Sequence, residues 1–292
     1  MIQQTLEETK KLVYPIIEKY LKDPIYPAQF KLKSKYKKEI DLYWEINKDY
    51  PKRNSKYLRP TFIRLIANAL GVNTKAVLQA AASIQISQEW ILISDDIEDK
   101  SDERRGKPTL HKIYGQELAI NASDALETIM WKSIMDIENK KVADEFYKIM
   151  MRTILGQAVE QIWTNKKTKL DDGQYTFVID SKAGYYTVAG PLRIGAIISG
   201  VTGKKLEKIT DFGLHLGRCF QIVDDILDYE QDKIEGKHTI ATVKGIDYAK
   251  KLAKSEKNIA KSIFDKDLKF LNKEPARTKL IGLIDFILER TY

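Results

Sequence analysis

From Lys75 to Asp99 the chain is built of good helix formers without one proline or glycine, and it ends in a cluster of three aspartates, Asp95, Asp96 and Asp99, preceded by Ile91, Leu92 and Ile93. A helix is the natural reading of such a run, yet carboxylates are rarely set into apolar helix without a partner. The pattern recurs at Asp224, Asp225 and Asp228, behind Ile222 and Val223, and it is the one repeat in the chain. Residues four apart share a helix face, so Asp95 projects with Asp99, and Asp224 with Asp228. At an effective dielectric of about 20, two carboxylates roughly 4 Å apart repel by about 4 kcal/mol, which favours a bound cation. With no sulfur or imidazole close by in sequence, oxygen-only ligation selects Mg2+, with Mn2+ as the other hard ion. A single such string is often a solvated helix face; two in one chain, each behind aliphatic residues, make a metal site the stronger reading.

Helical periodicity continues over about residues 117–140, 143–166, 173–199 and 205–232, while strand-like alternation bounded by hairpin turns is scarce. Breaks fall at Asp23–Pro24, Tyr50–Pro51, Gly106 to Pro108, Asp171 to Gly173, Gly203 and Gly236. The expectation is an all-α bundle of about ten helices, with the acidic clusters near the ends of two long ones. The chain has 292 residues, 43% of them hydrophobic, enough for a large single core, and no segment reads as a linker. One cysteine, Cys219, excludes an internal disulfide, and MIQQTLEETKK lacks the apolar stretch of a secretory signal. No apolar run reaches the roughly 18–20 residues that span a bilayer. A soluble, cytoplasmic protein is expected. The net charge of +8 suits polyanionic ligands, but the lysines are dispersed and no nucleic-acid-binding motif accompanies them, so no nucleic-acid partner is expected.

Basic residues beyond the first cluster turn the argument from metal toward phosphate. After Asp99 the chain reads KSDERRGKPTLH, so Arg104 and Arg105 stand on a segment that Gly106 and Pro108 mark as a loop. Paired arginines suit bidentate phosphate recognition. Lys56 and Arg59 in NSKYLRP, Lys182 in DSKAGYYT and Lys237 in EGKHT add further cations. Carboxylates that bind a divalent cation, together with these bases, describe a site for a ligand with two or more phosphates.

These residues closely resemble the trans-isoprenyl diphosphate synthase family, which makes linear prenyl diphosphates. DDIEDKSDERRGKPTLH, from Asp95 to His111, resembles the family's first aspartate-rich motif with its trailing RRG, and FQIVDDILD, from Phe220 to Asp228, resembles the second. Lys56, Arg59 and Pro60 fall where the family carries GGKRxRP, and Gln88 falls where a Gln or His contacts isopentenyl diphosphate. NASDAL from Asn121, GQAVEQ from Gly156, KAGYYTVAGPLRIGA from Lys182 and GKHT from Gly236 continue the series in order, over roughly residues 50 to 250.

The resemblance implies a single domain over residues 1–292 with the isoprenoid synthase fold, its helices around a central cavity. It implies that Asp95, Asp99 and Asp224 ligate Mg2+ directly, with Asp96, Asp225 and Asp228 completing or orienting the shell, and about three ions bridging to an allylic diphosphate. Arg104, Lys182 and Lys237 would hold that diphosphate, and Gln221 would lie beside the departing group. Lys56, Arg59, Gln88 and Arg105 would bind isopentenyl diphosphate. Trp90, with Ile91 beside it, resembles the bulky residue that closes the pocket in short-chain members, which implies products of about fifteen to twenty carbons, geranylgeranyl diphosphate being favoured. A homodimer is implied as well.

Several positions depart from the family pattern. Asn54 and Ser55 replace two glycines, Tyr57 replaces an arginine, Ala183 stands where a hydroxyl residue follows the motif lysine, and the segment from Asp228 to Gly236 is short. A longer-chain polyprenyl diphosphate synthase remains open, as does a non-catalytic subunit that tunes another synthase, although such subunits commonly lose an acidic motif. A terpene cyclase would carry an Asn/Ser/Glu-type second metal site. A head-to-head synthase would not need Lys56, Arg59 or Gln88.

Overall fold

The computed structural model describes residues 1–24, 34–166, 168 and 171–289, leaving aside the side chains of residues 34 and 235. Among them are fourteen α-helices and, as the sole strands, two of two residues each. Ten helices have nine residues or more: α1 (Ile2–Leu21), α2 (Lys37–Lys52), α3 (Leu58–Ala69), α4 (Leu78–Glu98), α6 (Gln116–Met135), α7 (Lys140–Asn165), α9 (Gly190–Ile198), α10 (Gly203–Leu227), α13 (Ile246–Asp267) and α14 (Ala276–Glu289). The short ones are α5 (Leu110–Tyr114), α8 (Asp172–Ile179), α11 (Tyr229–Glu235) and α12 (Ile240–Lys244). The chain is all-α, as its periodicity predicts. No helix among the described residues is long and apolar enough to cross a membrane.

Local chemistry moves several boundaries. The run expected over 117–140 stops at Met135, because Asn139 caps α7 by accepting from the backbone N–H groups of Lys141 and Val142. Tyr50–Pro51 does not end α2, which closes at Lys52 with Arg53 in extended conformation. The run expected over 173–199 is helical throughout but widens to a π-helix, Asp180–Ala189, between α8 and α9. Its last turn shows the π pattern directly, the Gly190 N–H reaching the Tyr185 carbonyl five residues back.

The chain divides into two compact units, residues 6–60 with 78–138, and residues 1–5 with 61–77 and 139–292. In the first unit α4 packs along α6, and α2 and α5 pack on both. Helix α4 is buried on most of its surface, from Ala80 to Ser87 and again at Glu89, Trp90, Ile93 and Asp96, which marks it as a core helix. Hydroxyl pairs link it to α6: Ser133 Oγ donates to Ser83 Oγ at 2.7 Å, and Ser94 and Ser123 meet at 2.8 Å. Trp90 is buried there too, its indole Nε1 3.5 Å from the sulfur of Met130.

In the second unit α10 packs against α13 and the π-helix, and α7 against the π-helix and α9. Helix α10 meets the π-helix backbone to backbone: a Cβ at Gly213 would stand 2.5 Å from the Ala189 Cα, and one at Gly217 2.5 Å from the Gly184 Cα. On the far side of α10, Phe212 and Phe264 pack with ring centroids 5.4 Å apart. Buried Glu145 of α7 accepts from Arg193 Nε (2.6 Å) and Nη2 (2.8 Å) and from the Tyr185 hydroxyl (2.7 Å), so its charge is paired where it is desolvated.

Candidate active site

Each aspartate cluster occupies the last turn of a long helix, the first on α4 and the second on α10, with Asp99 and Asp228 just past the ends. Neither last turn holds a basic residue. Carboxylates at the negative end of a helix dipole lose about 0.3–1 kcal/mol each instead of gaining it, so both clusters sit where local electrostatics disfavours them. The two are built alike. The first aspartate, Asp95 or Asp224, is half-buried; the second, Asp96 or Asp225, is buried; the third, Asp99 or Asp228, is exposed.

The buried aspartate of each pair is held by protein groups. Asp96 accepts from the hydroxyl of Tyr50 on α2 and from Arg104, through Nε at 2.9 Å and through Nη2. Asp225 accepts from the hydroxyl of Tyr175 on α8, from Gln221 Nε2 at 2.8 Å and from the backbone of Ile240. Those donors are all neutral. Burial pushes the Asp225 carboxyl up to about 6 against their opposing pull, and the nearby charge of Asp232 adds to the rise. Burial first, and then the adjoining carboxylate, raises the Tyr50 and Tyr175 phenols well above the ordinary range, so both stay protonated donors.

Arg104 and Arg105 are carried by a β-hairpin where the sequence had predicted a loop. Strands β1 (Glu103–Arg104) and β2 (Lys107–Pro108) are antiparallel, and both central turn residues have positive φ, Arg105 at 55° and Gly106 at 76°. From the end of α2 the buried Arg53 grips this hairpin, donating to the carbonyls of Arg104 (2.8 Å), Lys107 (3.3 Å) and Pro108 (2.7 Å). Arg105 turns back to α4, where Nη1 donates to Glu89 Oε2 at 2.9 Å and to the Tyr50 carbonyl at 3.1 Å, and Nη2 lies 3.4 Å from Glu89 Oε1.

The remaining predicted residues fall as follows. In the first unit Lys56 is exposed, while Arg59, Gln88 and Ile91 are half-buried. Tyr57, which replaces a family arginine, is buried with φ 54°, and its phenol is raised by burial and then by the charge of Glu89. In the second unit Lys182 lies on the π-helix and donates from Nζ to Glu160 Oε2 at 2.5 Å. Gln221 spends its amide on Asp225, and Lys237 is exposed just after Gly236, whose φ is 71°. Arg53, Glu89 and the two tyrosines were not singled out from sequence. Glu89 carried the signal that exposed the aspartates, a carboxylate inside an apolar run, whereas Tyr50 and Tyr175 carried none.

The oxygen donors of each cluster, taken by itself, suit a hard divalent cation held jointly with a phosphate ligand. Among the described residues no group of three or more His, Cys, Asp or Glu side chains is placed to hold a metal ion alone. Mg2+ commonly takes one or two carboxylates and completes its octahedron with water and substrate phosphates, and the outward Asp95, Asp99, Asp224 and Asp228 offer such partial ligation.

The polyprenyl synthetase family pattern matches residues 41–266. A geranylgeranyl diphosphate synthase of Methanosarcina mazei is 27% identical over 281 residues, covering 81% of this chain and 86% of its own. Another of that name, from Sulfolobus acidocaldarius, is 30% identical over 252 residues, 80% of this chain and 72% of its own. In fold the chain is similar to the geranylgeranyl pyrophosphate synthetase of the archaeon Geoglobus acetivorans, with a TM-score of 0.83 at 23% identity, over 98% of this chain and 99% of that one. Ordered motifs, an all-α architecture and a family match across most of the length agree, and the chain belongs to the polyprenyl synthetase family.

Proposed function

We propose that this chain is a Mg2+-dependent head-to-tail prenyltransferase that condenses isopentenyl diphosphate with an allylic diphosphate to give a short-chain prenyl diphosphate, with geranylgeranyl diphosphate favoured. The carrying observation is the shared build of the two aspartate motifs in a member of this family: a buried second aspartate locked by a tyrosine, with the first and third left toward solvent. In this reading the two units act as one domain, and Asp95, Asp99, Asp224 and Asp228 converge on the diphosphate of the allylic substrate. Asp96 and Asp225 orient their neighbours through the protein bonds they accept. Bound Mg2+, about three ions, would neutralise charge on the departing diphosphate.

The chain's own residues do the rest. Lys182, Lys237 and Arg104 pair with the allylic diphosphate, Lys182 exchanging Glu160 for phosphate oxygen, and Gln221 lies alongside. Cationic groups preorganised in a water-poor site stabilise charge as it develops on the leaving group. The allylic carbon–oxygen bond breaks to give a carbocation and pyrophosphate. Lys56, Arg59, Gln88 and Arg105 hold isopentenyl diphosphate so that its double bond attacks that cation. A proton then leaves the new tertiary cation for the released pyrophosphate, and the product is one five-carbon unit longer. Apolar side chains such as Trp90 and Ile91 keep water from quenching the cation.

The reading places the enzyme in the cytoplasm as a homodimer. Tyr147, Met151, Ile154, Leu155 and Ile162 form an exposed apolar face on α7 that suits a second copy of the chain. Leu155→Glu should shift the mass in light scattering from dimer to monomer. Purified protein incubated with Mg2+, labelled isopentenyl diphosphate and each allylic primer should give labelled products of about fifteen to twenty carbons; no turnover with any primer would sink the proposal. Trp90→Ala should lengthen the product by at least one unit, and an unchanged distribution would remove Trp90 from chain-length control.

A further inference from the structure

Neither aspartate motif uses the pair of buried Glu89 and half-buried Arg105. Glu89 lies on α4 at 1% exposure and accepts from Gln85 Nε2 at 2.6 Å as well as from Arg105; Gln85 Nε2 also lies 3.3 Å from Ser55 Oγ in the NSKYLRP loop. Burial raises the Glu89 carboxyl, opposed by Arg105 first and then by Gln85 and Arg59. A carboxylate so placed costs several kcal/mol in desolvation, which an apolar residue in the same core helix would avoid. Arg105 and Tyr57, both influenced by Glu89, hold left-handed backbone at φ 55° and 54°, conformations that side chains adopt only where the surroundings impose them.

The geometry of the pair indicates its use. Arg105 turns its Nη1/Nη2 edge to Glu89 and the Tyr50 carbonyl, which leaves Nε and the second Nη2 proton, on the side-on edge, without a partner among the described residues. That side-on edge is the one Arg104 gives to Asp96 and Arg218 gives to Asp180, and it matches a phosphate as well as a carboxylate. Stapling the hairpin does not explain Glu89, because Arg53 already binds three hairpin carbonyls. We infer that Glu89 is a positioning residue: it clamps Arg105 by one edge so that the other edge receives the diphosphate of isopentenyl diphosphate. This inference rests on the prenyltransferase reading above.

A charge argument alone predicts the opposite of a positioning role, since removing a buried anion leaves the pocket more positive and should tighten diphosphate binding. Steady-state kinetics of Glu89→Gln, an isosteric change, separates the two. Positioning predicts a KM for isopentenyl diphosphate raised roughly tenfold or more, with kcat and the KM for the allylic substrate within about threefold and Glu89→Asp in between. In an Arg105→Gln background, Glu89→Gln should add less than about threefold. A folded Glu89→Gln protein whose KM for isopentenyl diphosphate is unchanged or lower overturns the inference. Should that variant not fold, Glu89→Asp decides the matter in the same way, a KM raised severalfold supporting the clamp and an unchanged one refuting it. Wild-type protein inert with every primer removes the prenyltransferase reading and this inference together, whereas active wild type with an unaffected variant removes the inference alone.

Discussion

Asp96 and Asp225 occupy matching places in matching motifs, yet one is buried against a guanidinium and the other against neutral donors only. Both accept from a tyrosine that arrives from a different helix, 46 positions away for Tyr50 and 50 for Tyr175. Arg104 supplies Asp96 with an opposite charge, whereas burial leaves Asp225 raised to about 6. A repeated motif therefore fixes which oxygens face outward without fixing how firmly each cluster holds its negative charge. In the first cluster the buried carboxylate has a guanidinium partner; in the second its donors are neutral.

The largest test of their equivalence is catalytic. Asp95→Ala and Asp224→Ala should each lower kcat by roughly a thousandfold, since in the proposed mechanism each removes a group that helps stabilise charge on the leaving diphosphate. Activity surviving in one variant and not the other would break the symmetry of the proposed site.

A smaller and sharper contrast lies in stability without divalent cation. Asp96→Asn strips the partially exposed Arg104 of its charged partner and should lower stability by about 1–2 kcal/mol. Asp225→Asn removes a carboxylate whose charged form is disfavoured and should raise stability by on the order of 2 kcal/mol at neutral pH. Thermal unfolding with chelator present measures both, and shifts of the same sign would end the contrast.

The last effect is a pH dependence at Asp225. Because the folded-state value for Asp225 is raised from 3.8 to about 6, folding takes up a proton, and this residue's contribution to stability improves as pH falls through about 6 and levels off below about 4. The melting-temperature gain of Asp225→Asn over wild type should therefore be largest above pH 7 and vanish near pH 4. A gain that is constant with pH would mean that Asp225 titrates as an ordinary carboxylate.

Much of this could be read before any fold was known. Helix-compatible runs located α4 and α10, and the carboxylates inside apolar stretches located both clusters on their last turns. Glu89 was legible by the same rule and passed over because it stands alone. Other features had no sequence mark. A stretch that reads as one helix from 173 to 199 widens into a π-helix, against which Gly213 and Gly217 of α10 bring another backbone. The loop carrying Arg104 and Arg105 is a hairpin because Arg53, some fifty residues earlier, ties down its carbonyls.

Helical periodicity and the spacing of charged residues are local properties, and with the ordered motifs they were enough to determine the all-α class, the position of each cluster and the family. Which aspartate is buried, which tyrosine caps it, and whether its neighbour is a guanidinium or an amide depend on residues brought together over long separations. Those choices belong to the tertiary structure, because desolvation and charge pairing act through space and not along the chain.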